Sequence, residues 1–97
     1  MSPLAGAIGL CLRARGAVSG AFAVEQAVKK GQAHLVLIDP ETAEHTRNAV
    51  EALCASHGVT CRVLAEAGLI EQLTAKAQRK VLAVTNQGFA GMILGKL

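Results

Sequence analysis

The stretch GAFAVEQAVKKGQAHLVLI, residues 20–38, reads as a helix followed by a buried strand. Apolar residues recur at helical spacing over residues 21–30, and Gly31 is typical of the residue that follows a helix. Leu35–Ile38 is apolar at every position, which predicts a central strand covered by helices on both faces. Because a glycine precedes the helix, the first backbone N–H groups of that helix could meet a phosphate or a base edge.

The chain before this stretch predicts one more helix and a short strand. Apolar residues at helical spacing indicate a first helix over residues 4–13, with Pro3 tolerated in its first turn. Residues 17–19 are enough for only a minor strand. Ser19 has a side chain suited to an N-cap, so we expect it to cap the second helix.

The chain after this stretch continues the alternation of helices and strands. Asp39 and Pro40 are typical of the N-cap and first residue of a helix, so a third helix is predicted to run from there to Gly58. The further predicted strands are residues 59–64 and 81–84. Two more helices are indicated by apolar stripes, which are Leu69, Ile70, Leu73 and Ala77 for the fourth and Phe89, Met92 and Ile93 for the fifth. Thr85 and Asn86 are the candidate caps of the fifth helix.

This order of elements predicts an α/β fold. Helices and strands that alternate throughout a chain imply a mainly parallel sheet between two layers of helices. We therefore expect one domain, residues 1–97, with a three-layer α/β/α sandwich and a mixed, mainly parallel sheet of about four strands.

Composition excludes several classes of protein. Hydrophobic residues make up 52% of the chain, but no apolar run approaches the roughly 20 residues that span a bilayer, so no membrane partner and a cytoplasmic location are expected. Cys11, Cys54 and Cys61 form an odd set without a C-x-x-C pair, which favours free thiols, with the first two buried on apolar helical stripes. The three histidines show no metal-ligand spacing, and we expect no metal and no cofactor.

Charge is distributed unevenly along the chain. The net charge is +3, divided into +3 over residues 1–38, −4 over residues 39–75 and +4 over residues 76–97. If the fold brings the two ends together, they form a basic face that would suit a nucleic acid. The alternative is solvated surface charge with no partner.

Catalytic residues are not evident. In this fold class they would follow the strands, where the chain has Asp39, Ala65, Thr85 and Asn86. Asp39 precedes a proline and is more typical of a helix cap than of a general base. No phosphate-binding glycine loop or nucleophile elbow follows a strand, so the chain is not expected to be an enzyme.

The second helix has an unusual polar face. Its predicted core stripe is Ala21, Val24, Ala27 and Val28, and the other side carries Phe22, Gln26, Lys29 and Lys30. An aromatic ring beside basic residues could stack on an unpaired base, for about 1–3 kcal/mol. The alternatives are that Phe22 packs beneath the first helix or a neighbouring loop, or that it marks a protein contact.

Four segments together resemble a known family. They are Ile8-Gly9-Leu10 followed by Arg13 and Arg15, Val18-Ser19-Gly20, residues 30–38 and residues 81–90. Their order and spacing resemble the ribosomal L7Ae/L30e superfamily of kink-turn RNA-binding proteins, especially its small bacterial YlxQ-like members. The resemblance covers nearly the whole chain.

The resemblance implies a non-enzymatic RNA-binding protein associated with the ribosome or translation. Its partner would be a structured RNA, a kink-turn or a related element, with ribosomal RNA among the candidates and no DNA expected. In that family the start of the second helix enters the RNA, and a loop before the last main strand contacts a flipped-out nucleotide. These regions correspond here to residues 20–23 and 75–80.

The RNA-reading residues depart from the family pattern. Family members carry Asn-Glu, or Glu-Glu in YlxQ-like proteins, after the glycine, whereas this chain has Ala21, Phe22 and Ala23. Loss of those polar groups predicts altered or reduced kink-turn specificity. The predicted RNA-binding residues are Arg13, Arg15, Ser19, Gly20, Ala21, Phe22, Ala23, Gln26, Lys29, Lys30, Lys76, Arg79 and Lys80. The alternative function is a protein-interaction module of the same fold, with Phe22 at the contact.

Overall fold

The computed structural model describes residues 2–97 and contains five helices and four strands within them. In chain order the elements are α1 (Pro3–Arg13), β1 (Ala17–Ser19), α2 (Ala21–Lys29), β2 (Leu35–Ile38), α3 (Glu44–His57), β3 (Thr60–Val63), α4 (Leu69–Thr74), β4 (Val81–Val84) and α5 (Gln87–Leu94). All nine were predicted from the sequence, although several boundaries differ.

The four strands form one mixed sheet in the order β1-β4-β2-β3. Only β2 and β3 pair in parallel, and β4 is antiparallel to both of its neighbours. The expectation of mainly parallel pairing is therefore wrong. Its physical reason is simple: β1, β2 and β3 share one direction, as the alternation predicts, but the reversed strand β4 inserts between β1 and β2.

Helices cover both faces of the sheet, which confirms the three-layer sandwich. On one face, α1, α4 and α5 pack on Leu35, Leu37 and Leu82. On the other face, α2 and α3 pack on Val36 and Ile38. Every residue of β2 and β4 is buried, because side chains that alternate between two covered faces have no contact with water.

The helix α2 begins at Ala21, as predicted, but its cap differs from the prediction. Its N-cap is Gly20, while Ser19 is the last residue of β1, so the assignment of Ser19 as the cap is wrong. The helix ends at Lys29. Of its predicted core stripe, Ala21 is exposed, whereas Val24 and the later members are buried.

Asp39 does not cap α3, which begins only at Glu44. The Asp39 side chain is fully buried and accepts two backbone hydrogen bonds, from the N–H of Glu41 at 2.7 Å and from the N–H of Gly68 at 2.7 Å. The Asp39 backbone N–H donates to the Lys80 carbonyl at 2.8 Å. Asp39 therefore joins the ends of β2 and β4 to the loop before α4, and this long-range role overrides the local capping pattern.

The last two helices and the cysteines agree with expectation in part. Ala77 lies in the loop after α4, and Met92 is 43% exposed on α5, so neither is a core residue. Asn86 caps α5 by accepting from the Phe89 N–H at 2.9 Å, as predicted.

The cysteines Cys11, Cys54 and Cys61 are free thiols. The predicted burial of the two helical ones, Cys11 and Cys54, is confirmed.

None of the helices in the described part of the chain has the length and apolar character to cross a bilayer. Within residues 2–97, no three His, Cys, Asp or Glu side chains come together as a metal site.

Candidate nucleic-acid interface

The turn from β1 into α2 is built on Gly20. Its backbone has φ 95° and ψ 149°, a conformation that L side chains rarely adopt. The Gly20 N–H donates to the Val81 carbonyl at 3.0 Å, and the Gly20 carbonyl accepts from the Val24 N–H at 3.0 Å. One residue thus closes the sheet ladder and opens the helix.

The start of α2 has free donor groups facing outward. No side chain caps the helix, and the bond from Val24 to Gly20 is the first of its ladder, so the N–H groups of Ala21, Phe22 and Ala23 point out of the helix end. The helix dipole adds partial positive charge there. The Phe22 side chain is 76% exposed beside these groups, so the alternative in which it packs beneath another element is wrong.

Arg79 lies directly against Gly20. A Cβ atom at residue 20 would overlap the Nη1 atom of the Arg79 guanidinium. The absence of a side chain at Gly20 therefore lets a cation from the loop between α4 and β4 reach the start of α2. Charge and open N–H groups meet at this point of the surface.

A cavity of about 840 Å³ extends from Arg79 along the outer edge of β1. It lies between α1 and the loop that follows α4, and its cations are Arg13, Lys76 and Arg79. No carboxylate belongs to its lining. The structure thus joins the basic N-terminal and C-terminal segments here, as the charge distribution suggested.

The other predicted cations lie elsewhere. Lys29 pairs with Glu25 at 2.9 Å and, with Lys30, lies at the far end of α2, roughly 13 Å along the axis from its start. Lys80 pairs with Glu71 at 3.2 Å, and this hydrogen bond raises the pKa of Lys80. Neither α2 lysine belongs to the basic cavity, and the Lys80 charge is partly offset by its partner.

Two further predicted residues do not line the cavity. Arg15 is exposed in the turn after α1, with φ 58°, and Gln26 is half-buried on α2. Ser19 does line the cavity, through its position at the end of β1. The structure therefore groups Arg13, Ser19, Lys76 and Arg79 with the Gly20 helix start.

Sequence reasoning missed the apolar part of this cavity. Leu10 on α1 and Val18 on β1 both line it and are 52% and 36% exposed. The available signal was the spacing of Gly6, Leu10 and Arg13, which places them on one helix face three or four residues apart. The glycines of α1 weaken the helix but also leave room for the cavity.

The thiols show no sign of nucleophilic activation. Burial raises the pKa of Cys11. Burial, with smaller effects from the neighbouring Cys54 and Glu51, raises the pKa of Cys61 to about 12. A thiol with a raised pKa stays protonated near neutral pH and is a poor nucleophile.

Comparisons with known proteins agree with this architecture. A sequence model of the ribosomal protein L7Ae/L30e/S12e/Gadd45 family matches residues 3–93. The RNA-binding protein YlxQ of Bacillus subtilis (strain 168) is 31% identical over 90 residues, covering 93% of this chain and 90% of that protein.

Solved structures show the same fold. A protein of unknown function from Bacillus halodurans superimposes with a TM-score of 0.90 at 25% identity, covering 98% of this chain and 96% of that one. The Giardia lamblia 15.5kD RNA binding protein superimposes with a TM-score of 0.76 at 18% identity, covering 97% and 83%. The sequence match, which spans nearly the whole chain, and the shared fold establish that the chain belongs to the ribosomal protein L7Ae/L30e/S12e/Gadd45 family.

Proposed function

We propose that the chain is a non-enzymatic protein that binds structured RNA, with the start of α2 and the neighbouring basic cavity as its contact surface. The observation that carries this proposal is the contact between Arg79 and Gly20, which sets a guanidinium beside three outward N–H groups. Helix N-termini and arginine both favour phosphate oxygens. The name of the Bacillus subtilis relative, an RNA-binding protein, supports the same conclusion.

Binding would begin with electrostatic docking. Arg13, Lys76 and Arg79 belong to one cavity whose lining has no carboxylate, so an RNA backbone meets their charge without competition from a lining acid. The N–H groups at the start of α2 then donate hydrogen bonds to a phosphate or to acceptor atoms on a base edge. Phe22 supplies a stacking surface for an unpaired base.

Specificity would be lower than that of family members with a polar reading motif. Ala21 and Ala23 offer no side-chain hydrogen bond, and the Phe22 ring offers only stacking or apolar contact. We propose that the chain prefers kink-turn or related RNA, discriminates weakly among such RNAs, and works in the cytoplasm with the ribosome or the translation machinery.

A titration tests this function. The protein is titrated with a kink-turn RNA, the same RNA without its tandem G·A pairs, and a plain duplex, each at 50 and 200 mM salt. We expect binding to all three that weakens steeply with salt, and a modest preference for the intact kink-turn. Failure to bind any of them at low salt would refute the proposal.

Arg79→Ala localises the surface, with Arg62→Ala as the matched control. Arg62 lies on β3, the opposite edge of the sheet, so both variants remove one positive charge. We expect Arg79→Ala to lower RNA affinity about tenfold and reduce the salt slope by about one, while Arg62→Ala changes little. Equal effects would point to diffuse charge instead of a site.

One observation favours the second candidate, a protein-interaction module. Phe22 is a large apolar side chain that is 76% exposed, a feature common at protein contacts. That function predicts no RNA in the purified protein and a partner whose binding is insensitive to salt but lost in Phe22→Ala.

A further inference from the structure

The strand β1 is an edge strand whose outer side is open. It pairs only with β4. The backbone hydrogen bonds at the two ends of this pairing show which residues of β1 bond to β4. The Gly20 N–H donates to the Val81 carbonyl, and the Thr85 N–H donates to the Gly16 carbonyl. Because bonding alternates along an antiparallel strand, Val18 faces β4 with its backbone groups. The N–H and C=O groups of Ala17 and Ser19 therefore point away from the sheet.

The cavity of about 840 Å³ runs along this open edge. All three residues of β1 line it, so the outward backbone groups border accessible space. Leu10 forms part of the α1 wall, and Leu10 and Val18 present exposed apolar surface. An extended chain placed here would find backbone partners along one side and apolar contact above and below.

Charge defines what could occupy the cavity. Arg13 stands on the α1 side, and Lys76 and Arg79 stand on the loop side. None of the three forms a salt bridge within residues 2–97, and the lining contains no carboxylate. A second copy of this edge would bring the same cations together, so self-pairing is disfavoured and an anionic occupant is favoured.

We propose that this cavity, an open groove along β1, binds an extended acidic segment of a protein partner. The segment adds to β1 as a fifth strand. Donors and acceptors that recur two residues apart along β1 match the period of an extended peptide. The lining has no aromatic side chain on which an unpaired base would stack, so base stacking does not compete with strand addition inside the cavity. This partner is additional to the RNA proposed above, and because both contact Arg13, Lys76 and Arg79, the two compete for the cavity.

A peptide probe tests the proposal. The probe is a fluorescent, acetylated and amidated heptapeptide in which glutamate and valine alternate, added to the full chain without RNA. We expect saturable binding, and the amide protons of Ala17 and Ser19 should become protected from hydrogen exchange by at least tenfold. The same peptide with lysine in place of glutamate should not bind.

Backbone methylation of the probe distinguishes strand addition from charge attraction alone. Alternate N–H groups of an added strand face β1, so methylating the valine nitrogens or the glutamate nitrogens should abolish binding in one case and not in the other. Arg13→Glu should weaken binding at least tenfold, whereas Arg62→Glu, the same charge change on β3, should change it less than twofold.

Several results would overturn the proposal. They are no saturable binding at millimolar peptide, binding that leaves both amides unprotected, equal loss with either methylated peptide, and equal loss in both arginine variants. Protection of the same amides by a uridine heptamer, with none by the acidic peptide, would assign the groove to RNA and also overturn it. Because no arm of the peptide assay requires structured RNA, its failure leaves the RNA titration unaffected.

Discussion

The guanidinium of Arg79 occupies the space that a Cβ atom would take at Gly20. A side chain there must therefore displace Arg79 and also adopt φ 95°. We expect Gly20→Ala to lower the free energy of unfolding by about 1–3 kcal/mol through backbone strain. It should also weaken RNA binding as much as Arg79→Ala does, because the cation loses its place.

Urea unfolding and RNA titration measure the two effects. Gly91→Ala is the control, since Gly91 lies in α5 with no atom within 4 Å of an added Cβ. It should leave stability unchanged or raise it by about 0.5–1 kcal/mol. Additive losses of RNA affinity in the Gly20→Ala/Arg79→Ala double variant would contradict a shared mechanism.

Phe22 is expected to matter for binding and not for folding. Its ring is 76% exposed, so Phe22→Ala should change the free energy of unfolding by less than about 0.5 kcal/mol. RNA affinity should fall about tenfold through lost stacking. Met92→Ala, which removes another exposed apolar side chain from α5, should change neither quantity. Unchanged RNA affinity in Phe22→Ala would remove the ring from the interface.

Asp39→Asn is expected to destabilise the protein by about 2–3 kcal/mol. The carboxylate accepts from the N–H groups of Glu41 and Gly68, and an amide can accept at only one of its two polar atoms. One part-buried backbone donor then loses its partner. Urea unfolding measures the loss, and Thr42→Ser, which keeps the hydroxyl that donates to the Asp39 carbonyl, should cost less than 1 kcal/mol. Similar losses in both would argue against this role of the carboxylate.

Stability should fall at alkaline pH through Cys61. Its pKa is about 12 in the folded protein and 9.0 for an ordinary thiol, so the unfolded chain releases the proton first. The titration of Cys61 has no effect on stability below pH 9. As the pH rises from 9 toward 12, it progressively lowers the free energy of unfolding. Urea midpoints at pH 8 and pH 10.5 should therefore differ more in the natural protein than in Cys61→Ala. An equal difference in both would contradict the raised pKa.

The sequence predicted the elements of the fold better than their arrangement. Apolar runs identify β2 and β4 because burial on both faces leaves a continuous local pattern. The insertion of β4 between β1 and β2 depends on contacts between distant segments, which no local pattern records. Asp39 failed as a predicted cap for the same reason, since one of its partners, Gly68, is 29 residues away.

Those features of the site that depend on a single residue type could be predicted from the sequence. A glycine before a helix and a basic loop were visible in the sequence, but the contact between Gly20 and Arg79 needed the fold. Helical periodicity placed Lys29 on the same side of α2 as Phe22. It did not bring the two residues close together, because they lie seven residues apart along the helix axis. The apolar wall at Leu10 was overlooked because an isolated exposed leucine is common on protein surfaces.

The beginning of β4 is fixed from both sides. Asp39 donates its N–H to the Lys80 carbonyl, and Gly20 donates its N–H to the Val81 carbonyl. The loop before it contains two left-handed residues, Ala75 and Gln78, and has no such anchoring through a neighbouring strand. It is tied instead to α4, where the Glu71 carboxylate accepts from the Gln78 N–H and pairs with Lys80. Arg79 therefore stands between two anchored residues, and the register of the sheet sets where its guanidinium meets a ligand.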